Sequence, residues 1–179
     1  NWVSNMMPGA VISIMGFDPE TDTLSLMAGP RFSERYFQSL QNFPVGPGEG
    51  TCGTAAFTKQ LVITDNIQKD PRWNGFHDIA EAEGLRACWS VPILASAGEL
   101  LGTFATYYRA PASPTAEARR NLARSAALTA LAIIRHRDAE DHFALSEWHR
   151  TLFANHPDGV FTFDLEGHFL SCNRAVENI

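Results

Sequence analysis

The amino-acid sequence predicts an α+β fold: a central antiparallel sheet flanked by helices, then a long C-terminal linker helix and the truncated start of a second domain. Three observations support this prediction. Two pairs of β-rich runs are joined by turn residues, which indicates two hairpins. Short helical patterns separate the hairpins. A helical pattern of about 36 residues follows, far longer than the usual globular helix of about 12 residues.

The first hairpin and the first helix lie near the N-terminus. Residues 10–17 form a β-rich apolar run, the turn cluster DPETDT follows, and residues 24–27 resume the apolar pattern. A helix is predicted over residues 33–41, because Tyr36, Phe37 and Leu40 recur at helical spacing and Ser33 can cap the first turn.

A glycine-rich segment, VGPGEGTCGTAAF, precedes the next predicted helix. Gly48, Gly50 and Gly53 have the spacing G-x-G-x-x-G of a dinucleotide-binding loop. That loop requires a strand directly before it, whereas a helix end and two prolines precede the glycines here. We therefore predict a structural loop that turns into a helix. The free N–H groups near Thr51 at the helix N-terminus still favour an anion.

The middle of the chain provides the rest of the sheet. Residues 61–64 predict a short strand, a polar loop follows, and HDIAEAEG predicts a short helix that ends at Gly84. The second hairpin consists of RACWSVPILAS and ELLGTFATYYR, which are rich in aromatic and β-branched residues. Pro92 indicates an edge position or a bulge, because proline has no N–H for the ladder.

The long helical pattern runs from residue 115 to about residue 150, with Ser113 or Thr115 as candidate N-caps. A helix of this length extends beyond its own domain or pairs with a partner helix. The spacing is not a clean heptad repeat. We expect a linker helix that also ends the first domain, and a homodimer formed through residues 115–150.

The tail starts a new pattern. The segment HPDGVFTFDLEGHFLSCNRAVENI predicts a turn, a strand at residues 160–165, a second strand at residues 169–172 and a helix that begins at Asn173. The pattern stops where a domain should continue, and the first residue is Asn1 rather than methionine. We therefore expect the chain to be a fragment of a longer protein.

Composition excludes several classes of protein. The formal charge is −6, whereas a nucleic-acid-binding surface requires a basic stripe. No apolar run reaches the roughly 18 residues of a membrane span, so no membrane segment is expected. The cysteines Cys52, Cys88 and Cys172 are odd in number and widely spaced. We expect reduced thiols in the cytoplasm, without a disulfide framework or a metal site.

Two segments, GEGTCGTAAFTKQLVITDNIQKDPRW and GLRACWSVPILASAGELLGTF, resemble the GAF domains of bacterial signalling proteins. The resemblance covers about residues 1–135 and implies the GAF fold. The tail, LFANHPDGVFTFDLEGHFLSCNRAVENI, resembles the opening of a PAS domain. This implies that residues 151–179 are the N-terminal part of such a domain, joined to the GAF domain by the helix at 115–150.

The GAF–PAS order implies a sensory or regulatory domain. Such a domain binds a small ligand or partner and signals through a helical dimer to an output domain. The resemblance implies cyclic-di-GMP turnover by a GGDEF or EAL domain, or a histidine kinase, as that output. None of those catalytic motifs occurs here, so we expect no catalytic activity of the chain itself. The ligand is unknown, and no covalent bilin is expected because Trp89, not histidine, follows Cys88.

Aromatic residues concentrate in the elements that enclose a small-molecule pocket in GAF domains. Apolar walls with a few polar groups suit a compact ligand, although core packing explains the same aromatic residues equally well. The candidate pocket residues are Asp65, Trp73, Phe76, His77, Arg86, Cys88, Trp89, Phe104 and Tyr107.

Two alternative functions stay open. The loop GTCGTA is similar to that of free methionine-(R)-sulfoxide reductases, which are GAF proteins, and this resemblance implies that Cys52 and Cys88 are catalytic thiols. The sequence departs from that pattern, because KQLVIT occupies the region of a further cysteine, and Ala105 and Tyr107 replace an acidic pair. The other alternative is a ligand-free structural module for dimerisation.

Overall fold

The computed structural model describes residues 9–29 and 32–177. The first eight residues of the predicted domain 1–135, and the last two of the predicted segment 151–179, lie outside the described residues. Packing divides the chain into two units, Asn1–Ile133 and Ile134–Ile179.

The first unit is built on a six-stranded antiparallel sheet with the strand order β3-β2-β1-β6-β5-β4. The strands are β1 (Val11–Asp18), β2 (Thr23–Ala28), β3 (Phe43–Pro44), β4 (Val62–Thr64), β5 (Ala87–Leu94) and β6 (Leu100–Tyr108). Both predicted hairpins are present, and they meet where β1 pairs with β6. The predicted fold class, a central antiparallel sheet with flanking helices, is confirmed.

Three short helices lie between the strands: α1 (Glu34–Ser39), α2 (Gly50–Thr58) and α3 (His77–Ala82). The predicted cap of α1 is confirmed, because the Ser33 hydroxyl accepts a hydrogen bond from the amide of Tyr36 at 3.3 Å. Gly84 follows α3 with a φ of +69°, and the amide of Leu85 bonds back to the carbonyl of Ala80. This left-handed C-terminal motif ends the helix as predicted.

The glycine-rich loop is preceded by a strand that the sequence did not predict. This strand, β3, has two residues and pairs antiparallel with β2, so the segment is not the parallel strand–loop–helix of a dinucleotide site. A Cβ on Gly53 would lie 2.4 Å from the carbonyl oxygen of Pro44. Gly50 has a φ of +52°. The glycines therefore allow α2 to pack closely on β3.

Pro92 lies beyond the part of β5 that β4 covers. The β4 ladder pairs with residues 88–90 of β5, so the edge of β5 at Pro92 makes no ladder bonds to β4. The register of β5 against β6 also shifts between Ile93 and Leu94. Both the local edge and the bulge that the proline indicated are present.

The long helix, α4, runs from Ala116 to Asn155, 40 residues, and joins the two units. The Thr115 hydroxyl accepts a hydrogen bond from the amide of Ala118 at 3.1 Å, so Thr115 caps the helix. In the first unit, apolar residues at helical spacing are buried: Leu122, Ala126, Ala130 and Ile133. Among the described residues, no helix is both long enough and apolar enough to cross a membrane.

The second unit contains the end of α4, the hairpin β7 (Phe161–Phe163) and β8 (Phe169–Cys172), and the helical turn α5 (Arg174–Glu177). Strand β7 is shorter than the predicted strand at residues 160–165. Asn173 is 2% exposed and binds the preceding turn. Its side chain accepts from the amide of Val160 and donates to the carbonyls of His156 and Asp158. The helix begins directly after this asparagine, as predicted.

Candidate ligand-binding cavity

A cavity lies between the inner face of the sheet and the three short helices of the first unit. Its space for a water-sized molecule is about 20 Å³, which is room for roughly one water. Its floor includes Met15 of β1 and Tyr107 of β6. The helices α1, α2 and α3 contribute Tyr36, Cys52 and Ile79, respectively. The cavity is therefore enclosed by elements from almost the whole unit.

Apolar side chains form most of the wall. They are Met15, Leu40, Phe43, Trp73, Phe76 and Ile79. Phe43 and Phe76 pack together with ring centroids 5.1 Å apart. The polar side chains that line the cavity are Tyr36, Ser39, Thr51, Cys52 and Tyr107. Among the residues that the structure describes, no charged side chain lines the cavity.

A chain of hydrogen bonds leads from the cavity to the surface. The indole N–H of Trp73 donates to the Thr51 hydroxyl at 2.9 Å, and Thr51 donates to the Thr64 hydroxyl at 2.9 Å. Thr64 donates to the carboxylate of Asp70 at 2.7 Å. Asp70 forms an ion pair with Arg72. The network fixes the orientation of Trp73 and Thr51, which both line the cavity.

The Asp70 carboxyl is ionised at neutral pH. Partial burial raises its pKa, but the hydrogen bonds from Arg72 and Thr64 and the positive charge of Arg72 outweigh this effect, and the pKa is lowered overall. The chain of hydroxyl groups therefore ends on a negatively charged carboxylate, which accepts the hydrogen bond from Thr64. Arg72 also donates to the carbonyl of Ile63 at 2.8 Å, so its own charge is satisfied.

Two buried tyrosines, Tyr36 and Tyr107, line the cavity. Tyr36 is 3% exposed and Tyr107 is 1% exposed. Burial raises the pKa of both hydroxyls well above the ordinary value, so both keep their protons at neutral pH. The Ser13 hydroxyl donates to the Tyr107 oxygen at 3.3 Å. The ring of Phe32 packs against both tyrosines, with centroid distances of 4.5 and 5.9 Å.

Cys52 and Cys88 belong to the same buried cluster, and both are free thiols. The Cys52 sulfur lies 3.8 Å from the Tyr107 hydroxyl oxygen, and Cys88 is the cross-strand partner of Tyr107. A hydrogen bond from the Cys88 thiol lowers the pKa of Cys52, whereas burial raises the pKa of Cys88.

The structure places four of the candidate residues at the cavity. Trp73, Phe76, Tyr107 and the alternative nucleophile Cys52 line it directly. Cys88 lies in the cluster beneath them. Trp89 and Phe104 lie on the opposite face of the sheet, because neighbouring residues in a strand alternate between faces. The indole of Trp89 donates to the carbonyl of Ala112.

The three remaining candidates lie away from the lining. Asp65 lies on a surface groove beside Asn66 and Lys69. Arg86 forms an ion pair with Glu81 at 3.0 Å. His77 is half-buried, and its Nε2 atom has no hydrogen-bond partner among the described residues.

Several lining residues lie outside the set predicted from the sequence. Tyr36 and Leu40 were predicted to share one face of α1, and this is the face that closes the cavity. Helical spacing indicates a common face but does not identify a cavity beneath it. The sequence signal that could have identified this part of the site is the hydroxyl group of Tyr36 within an otherwise apolar face of the helix. Within the described ranges, no group of three or more His, Cys, Asp and Glu side chains is placed to hold a metal ion.

An antiparallel sheet with a cavity beneath short helices defines an α+β domain of a known class. Residues 1–134 match the family model of the GAF domain. The chain belongs to the GAF domain family.

One relative is similar over almost the whole chain. It is the methyl sulfide methyltransferase-associated sensor of Methanosarcina acetivorans, 34% identical over 178 residues. The match covers 98% of this chain and 18% of the relative. The chain thus spans less than a fifth of the length of a protein named as a sensor.

Solved structures share the fold. A domain assigned to a two-component sensor histidine kinase of Sinorhizobium meliloti 1021 has a TM-score of 0.65 and 20% identity, covering 79% of this chain and 89% of that one. The free methionine-R-sulfoxide reductase of Neisseria meningitidis, solved with its substrate, has a TM-score of 0.59 and 21% identity, covering 76% and 74%. At these identities the likeness establishes the fold alone.

Proposed function

We propose that the chain is the sensory part of a longer signalling protein. A small molecule or partner changes the packing around the cavity of the GAF domain, and α4 transmits that change to a downstream output domain. The supporting observation is the continuity of α4, which begins at its cap on Thr115 in the first unit and runs unbroken into the second. The sensor name of the relative agrees with this role.

Transmission is proposed to act through a homodimer. In the second unit, α4 exposes Leu145, Trp148 and Leu152, whose exposed fractions are 51%, 57% and 49%. Their intervals of three and four residues place them on one face of the helix, as in a coiled-coil seam. Pairing this face with the same face of a second chain would remove the apolar side chains from water.

Sedimentation equilibrium of the whole chain tests this proposal. We expect a dimer that Leu145→Lys weakens by at least about tenfold, because a charge would enter the apolar seam. Phe143, 69% exposed, lies on the opposite side of α4, so Phe143→Lys is the matched control and should leave the dimer intact. A strict monomer at high protein concentration would contradict helix-mediated transmission.

The segment after α4 is proposed to be the start of a PAS domain, and the output to be cyclic-di-GMP turnover or a histidine kinase. The order of turn, strand, strand and helix in residues 156–177 supports the PAS assignment. The coding sequence after residue 179 tests the output. A GGDEF or EAL motif would support cyclic-di-GMP turnover, and an H-box with an ATP-binding motif would support a kinase. A following sequence that lacks all of these motifs would contradict both proposed outputs.

The thiol reductase is a second candidate, favoured by the placement of Cys52 and Cys88 in one cluster beside the cavity. Turnover of free methionine sulfoxide, coupled through thioredoxin to NADPH, tests it. If the chain turns over this substrate and Cys88→Ser abolishes the turnover, the reductase function is correct and the sensor proposal is wrong. The position of Tyr107, where the reductase pattern has an acid, argues against this candidate, because no carboxylate is left there to bind a substrate amine.

A purely structural dimerisation module differs from a sensor in having no ligand. A molecule that binds only the folded state raises the melting temperature. A screen of small molecules by thermal shift therefore separates the two functions, and a chain that dimerises but responds to no compound would favour the structural module.

A further inference from the structure

We propose that the cavity takes a compact, uncharged molecule that carries a hydrogen-bond acceptor, held by the hydroxyl groups of Tyr36 and Tyr107. This inference rests on the proposed sensory function and gives its ligand a chemical class. It follows from the polar groups in the lining, from the hydrogen bonds they already make, and from the charges around them.

Most polar groups of the lining are already used. The Ser39 hydroxyl donates to the carbonyl of Tyr36 at 2.7 Å. Thr51 donates to Thr64 and accepts from the indole of Trp73. Neither hydroxyl has a proton left for a ligand. Among the described side chains, the hydroxyls of the two tyrosines and the thiol of Cys52 are the remaining polar groups of the lining.

The tyrosine pair keeps a donor for the cavity. Tyr107 accepts from Ser13, so its own O–H proton is not used in that bond. Tyr36 and Tyr107 interact with each other, but two hydroxyls share only one hydrogen bond between them. The Cys52 sulfur at 3.8 Å from the Tyr107 oxygen is a weak acceptor. One O–H therefore remains to donate to an acceptor atom of a ligand.

The surroundings disfavour a charged ligand. A buried full charge needs an opposite full charge beside it, and no charged side chain of the described residues lines the cavity. The N-terminus of α2 at Thr51 offers only a partial positive charge. Arg72, at the far end of the hydroxyl chain, is already paired with Asp70. A zwitterion would bury two unpaired charges. The matching ligand is neutral, with an apolar remainder that contacts the aromatic walls.

The cavity at rest is smaller than a ligand of several heavy atoms. The resting space of about 20 Å³ holds roughly one water, so a larger molecule enters only when a wall moves. We infer that the moving wall is α1, which carries Tyr36 and has only six residues. It is tied to the segment after α3 by an exposed hydrogen bond from the Ser33 amide to Glu83 at 3.1 Å.

Three probes of four heavy atoms test the chemical class: acetone, isobutene and acetate. They share a planar shape and differ in acceptor and charge. We would titrate each at millimolar concentration, as so small a ligand requires, into the 179-residue chain and follow the amide NMR signals of Thr51 and Cys52. Acetone should shift both signals saturably, isobutene should bind about fivefold more weakly because it lacks one hydrogen bond, and acetate should not bind.

Hydroxyl-deletion variants test the residues. Tyr36→Phe combined with Tyr107→Phe should reduce acetone affinity to that of isobutene. Tyr108→Phe is the matched control, since Tyr108 packs against Trp89 on the other face of the sheet, and it should leave acetone binding unchanged. Saturable binding of acetate, equal affinity for acetone and isobutene, or no saturable binding of any probe would overturn the inference. Sedimentation measures helix-mediated dimerisation separately, so either proposal can fail alone.

Discussion

At Gly53 the backbone of α2 lies close to Pro44 of β3. Replacing it with alanine would place a Cβ 2.4 Å from the Pro44 carbonyl oxygen and 2.7 Å from the Glu49 Cβ. Both neighbours are close to the backbone and cannot rotate away. We expect Gly53→Ala to lower the free energy of unfolding by about 1–3 kcal/mol, measured by urea denaturation.

Gly46 in the same loop provides the control for this prediction. Among the described atoms, a Cβ there would meet the Glu49 Cγ alone, at an ordinary 3.4 Å. Gly46→Ala should therefore change stability by no more than about 0.5 kcal/mol. Equal stability of the two variants would show that close packing is not the reason for a glycine at position 53.

At the scale of single residues, the sequence identified part of the site. Trp73, Phe76 and Tyr107 line the cavity, whereas Trp89 and Phe104 lie on the other face of the sheet. Alternation in a strand separates Cys88 from Trp89, but it does not tell which of the two faces carries a cavity. That information comes only from the helices that cover one face.

At the scale of elements, α4 offers a direct test of how a helix begins. The sequence offers Ser113 and Thr115 as alternative caps, and in the structure the capping bond is on Thr115. We expect Thr115→Ala to cost about 1 kcal/mol of stability, because an amide of the first turn loses its acceptor. Urea denaturation of the first unit, followed by its buried tryptophans, provides the measurement.

Ser113→Ala is the matched control for the cap. The Ser113 side chain is exposed, so its replacement should leave the urea midpoint nearly unchanged. If Ser113→Ala destabilised the protein as much as Thr115→Ala, the assignment of the cap to Thr115 would be wrong.

The order of elements was predictable because long patterns repeat many times. The two hairpins and the long helix each contain several periods of their hydrophobic pattern. Strand β3 was missed for the opposite reason, because its two residues, Phe43 and Pro44, are too few for any periodicity. Its pairing depends on β2, which is distant in sequence. Helix α4 ends five residues beyond the predicted position, since the ends of a helix carry the weakest signal.

At the scale of the whole molecule, the two units differ in how much apolar surface they bury. The buried apolar side chains described in the chain belong to the first unit, whereas the second unit exposes Phe161, Phe163 and Phe169. Stability follows buried apolar area. We therefore expect the second unit to unfold at a lower urea concentration than the first.

Hydrogen exchange in increasing urea checks this expectation. Amides of β7 and β8 should lose protection before those of β5 and β6. Asn173→Ala should lower protection in the second unit further, because the turn at His156–Asp158 loses both hydrogen bonds from this side chain. Simultaneous loss of protection in all four strands would mean that the chain unfolds as one cooperative body.

The burial of two of the three cysteines has a practical consequence for spectroscopy. Cys52 and Cys88 are enclosed in the first unit, whereas Cys172 is half-buried in β8. A maleimide dye added briefly to the folded chain therefore reacts first at Cys172. The unsubstituted protein thus carries its own attachment point for a fluorophore or spin label in the second unit. A label at that position would report on distances between two copies of the chain without any cysteine being removed.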